Sequence, residues 1–350
     1  MKYKLLGNSG LRVSELCLGT MTFGEDWGWG ASKEESKKIF DYYAEAGGNF
    51  IDTAVNYTNG TSETFVGEFT KADREHFVIA TKYTLTHGEQ SDPNQGGNSR
   101  KNMMHSVERS LNRLQSDYID LLYLHMWDFM TPVEEVLRGL DDLVRQGKVN
   151  YVGISDTPAW IVAEANARAE LRGWSRFVGL QIPYSLRNRS VERAELPMAQ
   201  HWDMAVMPFG LLGGGTLTGK YTPENSDPKR YDVEKLPEDL VELINELQAV
   251  SDDIGYPQNQ VAINWIRQQQ ERALIISILG ARTLAQLENN MAALQWELSD
   301  ETLQRLDEAS KIMYDFPLGW LSGASEIVYG ASLDKIETHR PFPLEGLIER

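Results

Sequence analysis

The chain is 350 residues long and carries 34 Lys and Arg against 51 Asp and Glu, a formal net charge of −17. That length holds a large buried core, either as two ordinary domains or as one α/β barrel. The acidic field repels phosphate backbones and anionic lipid, which excludes nucleic acid and membrane surfaces as partners but not a small anionic ligand in a local basic cradle.

Cys17 is the lone cysteine, so no intramolecular disulfide forms, as fits a reducing compartment. The opening residues Met1 to Gly7 lack the apolar run of a signal peptide, and the longest apolar stretch, Ala273 to Leu279, is far short of a membrane span. Both point to the cytoplasm.

In chain order, the predicted elements begin with a hairpin: Tyr3 to Leu6, a turn at 7–10, then Leu11 to Val13. Strand Leu16–Leu18 leads to a helix at 32–46, opened by the capping-box pair Ser32 and Glu35 and stopped by Gly47-Gly48. Strand Phe50–Asp52 precedes a helix at 62–70, and strand Phe77–Thr81 a helix at 100–115. Strand Ile119–Leu124 precedes a helix at 132–146, with Pro132 in the first turn and Gly147 at the end. Strand Tyr151–Ile154 pairs with a helix at 158–172, and Gly179–Ile182 with one at 191–200. Strand Ala205–Pro208 is followed by a Gly- and Pro-rich stretch at 210–236 and a helix at 237–253, and Ala273–Leu279 by a helix at 283–294. A helix near 299–310 and an irregular tail complete the chain.

Eight strand–helix units predict parallel strands with helical crossovers, closed as an α/β (β/α)8 TIM barrel over about 14–295. The barrel carries an N-terminal hairpin, an insertion after strand seven and a C-terminal extension, all in one domain spanning 1–350. An open doubly wound sheet is the competing arrangement.

A barrel keeps its chemistry at the C-terminal ends of its strands. The polar residues there are Asp52, Lys82, His125, the pair Ser155-Asp156, Gln181, and Gly280-Ala281-Arg282, with Phe209 ending strand seven. Tyr57 lies five residues past Asp52, in a loop able to turn back over the same mouth. Taken singly, each reads as an ordinary rim or packing residue. Together they are chemically coherent. A tyrosine, with its ordinary pKa of about 10, is a poor acid at neutral pH. A nearby ammonium favours tyrosinate and lowers that value. A carboxylate holds the ammonium, and a histidine bonds a carbonyl oxygen from the other side. Such a set gives a proton to a forming alkoxide.

At this point the sequence resembles the aldo-keto reductase family, most closely its bacterial and fungal aryl-alcohol dehydrogenase-like branch. The motifs are Gly48-Asn49-Phe50-Ile51-Asp52-Thr53-Ala54 with Tyr57, Ala80-Thr81-Lys82, and Asp120 through His125. Then come Tyr151 through Ser155, Gln181 with Tyr184, Leu217 through Tyr221, and Gly280 through Thr283 with Asn290. Each is weak alone, but the ordered set is specific. The resemblance implies a barrel enzyme that uses NADPH to reduce aldehydes or ketones. It makes Tyr57 the general acid, tuned by Lys82 and Asp52, with His125 orienting the carbonyl.

It further implies a dinucleotide lying across the mouth. Arg282 takes the 2′-phosphate, Gln286, Asn289 and Asn290 lie toward the adenine, and Ser155, Asp156 and Gln181 hold the carboxamide. Phe209 stacks on the nicotinamide, and Gly19, Thr20, Met21, Gly210, Leu212, Gly214, Lys220 and Gly280 line the cradle. Three residues depart from the family pattern: Asp156 where Asn is frequent, Gly210 where Ser is frequent, and Asn289 where an acid is usual.

Two alternatives for the nucleotide fail on the residues. No G-x-G-x-x-G follows a strand. The P-loop-like run Gly214 to Lys220 is followed by Tyr221 instead of the Mg²⁺-binding Ser or Thr, and Thr222-Pro223-Glu224-Asn225 reads as a turn. His87, His105 and His201 lack metal-ligand spacing, so no metal is expected.

Loop aromatics Trp27, Trp29, Tyr83, Trp127 and Phe129, with Phe316 and Trp320 from the tail, predict an apolar pocket for an aromatic or medium-length carbonyl compound. Trp27, Tyr57, Tyr83, His125 and Trp127 are the expected substrate contacts. Two other functions compete. One is a cofactor-binding regulatory subunit, as potassium-channel β subunits share this resemblance. The other is an isomerase or lyase with Lys82 as a Schiff base.

Overall fold

The computed structural model describes residues 1–86, 92–221, 232 and 235–337. The eight predicted strands are present as β3 (Leu16–Gly19), β4 (Phe50–Asp52), β5 (Val78–Tyr83), β6 (Ile119–Leu124), β7 (Val149–Ser155), β8 (Phe177–Pro183), β9 (Ala205–Phe209) and a broken eighth, β10 (Leu274–Ile275) plus β11 (Ser277–Gly280). The break closes the ring. Leu274 and Ile275 pair with Ala205 and Val206 of β9, whereas Ser277 to Gly280 pair with Leu16 to Gly19 of β3. Between them the Ile276 N–H donates to the Val206 carbonyl at 2.9 Å. All pairings in the ring are parallel, as a (β/α)8 barrel requires.

Strand alternation sorts the side chains into two layers. Cys17, Phe50, Ala80, Leu121, Tyr123 and Met207 fill the barrel interior. The antiparallel hairpin of β1 (Tyr3–Leu5) and β2 (Arg12–Ser14) adds Leu6 and Val13 to that interior cluster and so plugs the N-terminal end.

The outer layer is helical: α1 (Lys33–Glu45), α2 (Thr61–Thr70), α3 (Arg100–Leu114), α4 (Val133–Arg145), α5 (Ala159–Arg172) and α6 (Glu195–His201), each between successive strands. Ser32 caps α1 by accepting the Glu35 N–H, as the capping-box pattern predicts. The helix expected at 191–200 is split into a 3-10 turn, Ser190–Arg193, and α6.

Within the barrel one helix was not expected, and the tail expected to be irregular holds two short helices, Leu318–Leu321 and Ser325–Tyr329. After α7 (Glu238–Ile254), α8 (Gln258–Arg267) precedes the eighth strand. Every residue from Gln258 to Ile266 is buried, polar ones included, so α8 has no solvent stripe. Pro257 just before it is the signal that marks its start.

Helix α9 (Leu284–Met291) follows the eighth strand, and α10 (Asp300–Ala309) opens the extension. An ionic knot pins α10 to the loop after β8. Fully buried Glu192 pairs with Arg189 at 2.7 Å and Arg272 at 3.0 Å, while Arg189 reaches the Asp307 carbonyl at 3.0 Å and Ser310 Oγ at 2.8 Å. Among the described residues no helix is long and apolar enough to cross a membrane.

Candidate active site

Three neighbouring strand ends deliver the central groups. Asp52 ends β4, Lys82 is the penultimate residue of β5, and His125 follows β6. Lys82 is fully buried, and its ammonium has three partners: Asp52 Oδ2 at 2.6 Å, the Thr53 carbonyl at 2.8 Å and Tyr57 Oη at 3.1 Å. Three donors meet three acceptors, which is how a buried ammonium is tolerated. The other Asp52 oxygen, Oδ1, accepts from Gln181 Nε2 at 2.8 Å. The His125 ring stands edge-on to Tyr57 with centroids 5.9 Å apart. Asp52, Tyr57, Lys82 and His125 thus come together as one contiguous group.

Their protonation follows from the surroundings. Burial alone would lower the Lys82 pKa, but Asp52 and Tyr57 outweigh it and hold the group above its ordinary value, as an ammonium. A Schiff-base nucleophile must be a neutral amine, so this environment opposes that alternative. Burial, with a smaller push from Lys82, takes His125 down to about 3, so its imidazole is neutral at working pH. Its Nδ1 is buried without a protein partner.

Tyr57 corrects one expectation. Burial pushes its phenol up, the charge and hydrogen bond of Lys82 pull it down, Asp52 and Asp156 push it up again, and the net shift is upward. The ammonium lowers the tyrosine only relative to a buried phenol without it. The hydroxyl therefore stays protonated, the form an acid needs.

Around this group lies the predicted cradle. Gly280, Gly19 and Asp52 are aligned across β11, β3 and β4 at one level of the rim. Thr20 is fully buried, its hydroxyl on the Asp52 carbonyl at 2.8 Å and on Ser62, so that side chain braces the rim rather than opening onto the mouth. Met21 is exposed beside it. Ser155 sits opposite Gln181 in register, and its Oγ is buried with no protein partner. Asp156 is half-buried with φ of 40°, a left-handed conformation that Asn and Asp tolerate better than most residues. Burial raises its carboxyl and Lys82 lowers it, with the balance upward. The Gln181 amide already holds Asp52, so Gln181 does not have both donors to offer a carboxamide.

Beyond Phe209, Gly210 has a positive φ and open space where a Cβ would stand, and Leu212 leads into the turn Gly213–Gly215. The Lys220 ammonium folds back onto that turn, 3.3 Å from where a Gly215 Cβ would be. A cation over a glycine turn and an orphaned serine hydroxyl fit a phosphate-bearing, amide-bearing ligand.

Arg282 is exposed just before Thr283, the N-cap of α9, and so lies outside that helix. Its backbone N–H donates to Gln286 Oε1 at 2.9 Å. Asn289 and Asn290 accept from Gln260 and Asn259 of α8 at 2.7 and 2.9 Å, which fixes both carboxamides by their oxygens. The Leu284 N–H is taken by Glu35 at 2.8 Å.

The aldo/keto reductase family model matches residues 15–311, the whole barrel and all of α10. The chain belongs to the aldo/keto reductase family. It is an oxidoreductase. Norsolorinic acid reductase B of Dothistroma septosporum is 39% identical over 338 residues, 92% of this chain and 85% of the relative. Norsolorinic acid reductase of Aspergillus flavus is 38% identical over 91% of this chain and 83% of the relative. The aryl-alcohol dehydrogenase (NADP+) of Phanerodontia chrysosporium is 36% identical over 90% and 87%.

In this aldo/keto reductase the aromatic residues divide. The Trp27 ring stands 6.5 Å from Tyr57 and 5.6 Å from Trp29 at the mouth. Trp127, two residues past His125, is buried. Tyr83 does not join. It is fully buried in the layer between strands and helices, because Lys82 faces the axis and the next residue must face outward. Phe129, Phe316 and Trp320 are 70, 83 and 58% exposed and wall no closed pocket among the described residues. His105 and His201 lie on α3 and α6, whereas His87 and the turn at 222–225 fall outside the described residues.

The sequence did not single out Glu63 and Arg113, which lie under the Tyr57 loop. The dipeptide Asn59-Gly60, two residues after Tyr57, is the turn signal that marks that loop's unusual backbone.

Proposed function

We propose that this aldo/keto reductase reduces the carbonyl group of aldehydes or ketones, with Tyr57 as the proton donor. The observation that carries this reading is the 3.1 Å contact between Tyr57 Oη and Lys82 Nζ, with Lys82 itself on Asp52 at 2.6 Å. NADPH, when bound, supplies the hydride to the carbonyl carbon. The carbonyl oxygen gains negative charge as that bond forms, and the Tyr57 hydroxyl gives it a proton. The phenolate left behind sits against the Lys82 ammonium, whose charge Asp52 holds in place. Neutral His125 donates a hydrogen bond to the same oxygen and needs no proton change to do so.

The residues suited to hold NADPH are Ser155 and Asp156 at the carboxamide, Phe209 on the ring, and the backbone of Gly19, Thr20, Met21, Gly210, Leu212, Gly214 and Gly280 along the mouth. Lys220 serves the pyrophosphate and Arg282 the 2′-phosphate, with Gln286, Asn289 and Asn290 beside the adenine. Gln181 acts chiefly by orienting Asp52. The substrate is an aromatic or apolar carbonyl compound received by Trp27, consistent with relatives named for aryl alcohols and for norsolorinic acid. The working compartment is the cytoplasm.

The test is an NADPH-oxidation screen over aldehydes and ketones, including 4-nitrobenzaldehyde, with NADH in parallel. Turnover of aromatic aldehydes with NADPH preferred is the expected result. No turnover on any carbonyl by protein that binds NADPH would overturn the reading and favour a regulatory role.

A further inference from the structure

Tyr57 stands on an unusual piece of backbone. The three residues after it are all left-handed: Thr58 with φ 43°, Asn59 with φ 55° and Gly60 with φ 96°. A β-branched residue at positive φ is rare and persists only where the surroundings impose it. Two groups hold it: the Phe23 carbonyl, which accepts from Thr58 Oγ1 at 2.6 Å, and Arg113, near the end of α3. Its guanidinium lies directly under the turn: a Cβ at Gly60 would fall 2.3 Å from Arg113 Cζ. The Arg113 Nη1 donates to the Val55 carbonyl, two residues before Tyr57, at 2.9 Å.

Arg113 is itself held. Glu63 of α2, with no exposed surface, accepts from Arg113 Nη1 at 3.1 Å through Oε2 and from Thr81 Oγ1 at 2.6 Å through Oε1. Thr81 immediately precedes Lys82. Helix α2 approaches the end of α3 this closely because Gly67 lacks a side chain; a Cβ there would lie 2.5 Å from the Arg113 carbonyl oxygen. One short chain of contacts therefore ties the strand that carries Lys82 to the loop that carries Tyr57, on the side away from the mouth.

We propose that Arg113, braced by Glu63, is a positioning residue that sets the Tyr57 hydroxyl on the Lys82 ammonium. Arg113 touches neither the reacting atoms nor the mouth. One nitrogen, Nη1, serves both acceptors, the Val55 carbonyl and the Glu63 carboxylate, and the planar guanidinium also lies against Gly60, a flat support that the point charge of a lysine does not supply. Without it, the left-handed turn has no floor, and Tyr57 samples positions beyond hydrogen-bond reach of Lys82. The proposal rests on Tyr57 being the proton donor.

The test is a double-mutant cycle of Arg113→Ala with Tyr57→Phe, reading kcat and KM for carbonyl reduction, NADPH binding by tryptophan fluorescence, and the melting temperature. Arg113→Ala is expected to lower kcat about tenfold or more, with KM and NADPH binding within about threefold. In the Tyr57→Phe background the same change is expected to lower kcat less than twofold, because the residue it positions is already gone. Arg113→Lys serves as the second variant should the alanine form not fold, with a smaller loss, about threefold, that likewise vanishes in the Tyr57→Phe background. Equal losses in both backgrounds, or an unchanged kcat in Arg113→Ala and Arg113→Lys, overturn the proposal alone. Near-wild-type turnover of Tyr57→Phe by itself overturns the proton-donor reading, and the proposal with it.

Discussion

Gln181 Nε2 donates to Asp52 Oδ1 at 2.8 Å, so a residue of β8 reaches across the barrel to fix a carboxylate on β4. Both side chains are buried, and the other Asp52 oxygen is taken by Lys82. Gln181→Leu removes that donor and leaves one oxygen of a buried carboxylate without a partner. The expected cost is about 1–3 kcal/mol of unfolding free energy, the usual price of an orphaned buried acceptor. Chemical denaturation of the protein without cofactor measures it, and an unchanged midpoint at unchanged slope would show that Asp52 needs no such support.

Tyr57→Phe keeps the ring and deletes only the hydroxyl. Positioned acid catalysis contributes about 10²- to 10⁴-fold. A loss of kcat in that range is expected, with NADPH affinity unchanged by fluorescence titration. Since burial holds the phenol above its ordinary range, the acid stays loaded through neutral pH. Reduction is then expected to show no loss of kcat between pH 6 and 8, and an alkaline decline beginning below pH 8 would contradict that protonation state.

His125 makes acid stability testable. Its pKa falls from about 6.5 in the unfolded chain to about 3 in the folded one, through burial and then Lys82. Between those values the unfolded state binds the extra proton. Stability from this group is therefore fully present above about pH 6.5 and is lost as pH falls toward 3. The loss is on the order of a few kcal/mol. His125→Phe removes the titrating group, so its unfolding free energy is expected to decline less than the wild type's between pH 6.5 and 4. Parallel declines in the two proteins would mean that His125 carries no such linkage.

What the sequence made legible follows from burial. Strands β4 and β6 match their predicted limits residue for residue, because each is a short, wholly buried and mostly apolar run with a polar side chain at or just after its end. The same rule brought out Asp52, Lys82 and His125. Strand parity was available for Tyr83 as well: a residue adjacent to inward-facing Lys82 faces the helices. Helix α8 was illegible, as it is buried on all sides, and with it went the partners of Asn289 and Asn290, which are α8 side chains. The net upward shift of Tyr57 was hidden for a similar reason. Its sign depends on how much water the folded chain removes, and residue types alone do not carry that quantity.

Arg282 tests the far end of the cradle. Gln286 already accepts the Arg282 backbone N–H, and Glu35 takes the Leu284 N–H, so two donors near the start of α9 are used within the protein. Attraction for a phosphate there must come largely from the exposed guanidinium, since the remaining helix N–H groups share their field with the Glu35 carboxylate. NADPH differs from NADH only by that phosphate. Arg282→Ala is accordingly expected to raise the KM for NADPH about ten- to a hundredfold, in line with about 1.5–3 kcal/mol for a charge-assisted hydrogen bond, while moving the KM for NADH less than threefold. Glu35→Gln should act in the opposite sense, tightening NADPH by relieving repulsion of the phosphate while keeping an oxygen for the Leu284 N–H. Steady-state kinetics with both cofactors on the two variants measures this, and equal shifts for NADPH and NADH in Arg282→Ala would place the 2′-phosphate elsewhere.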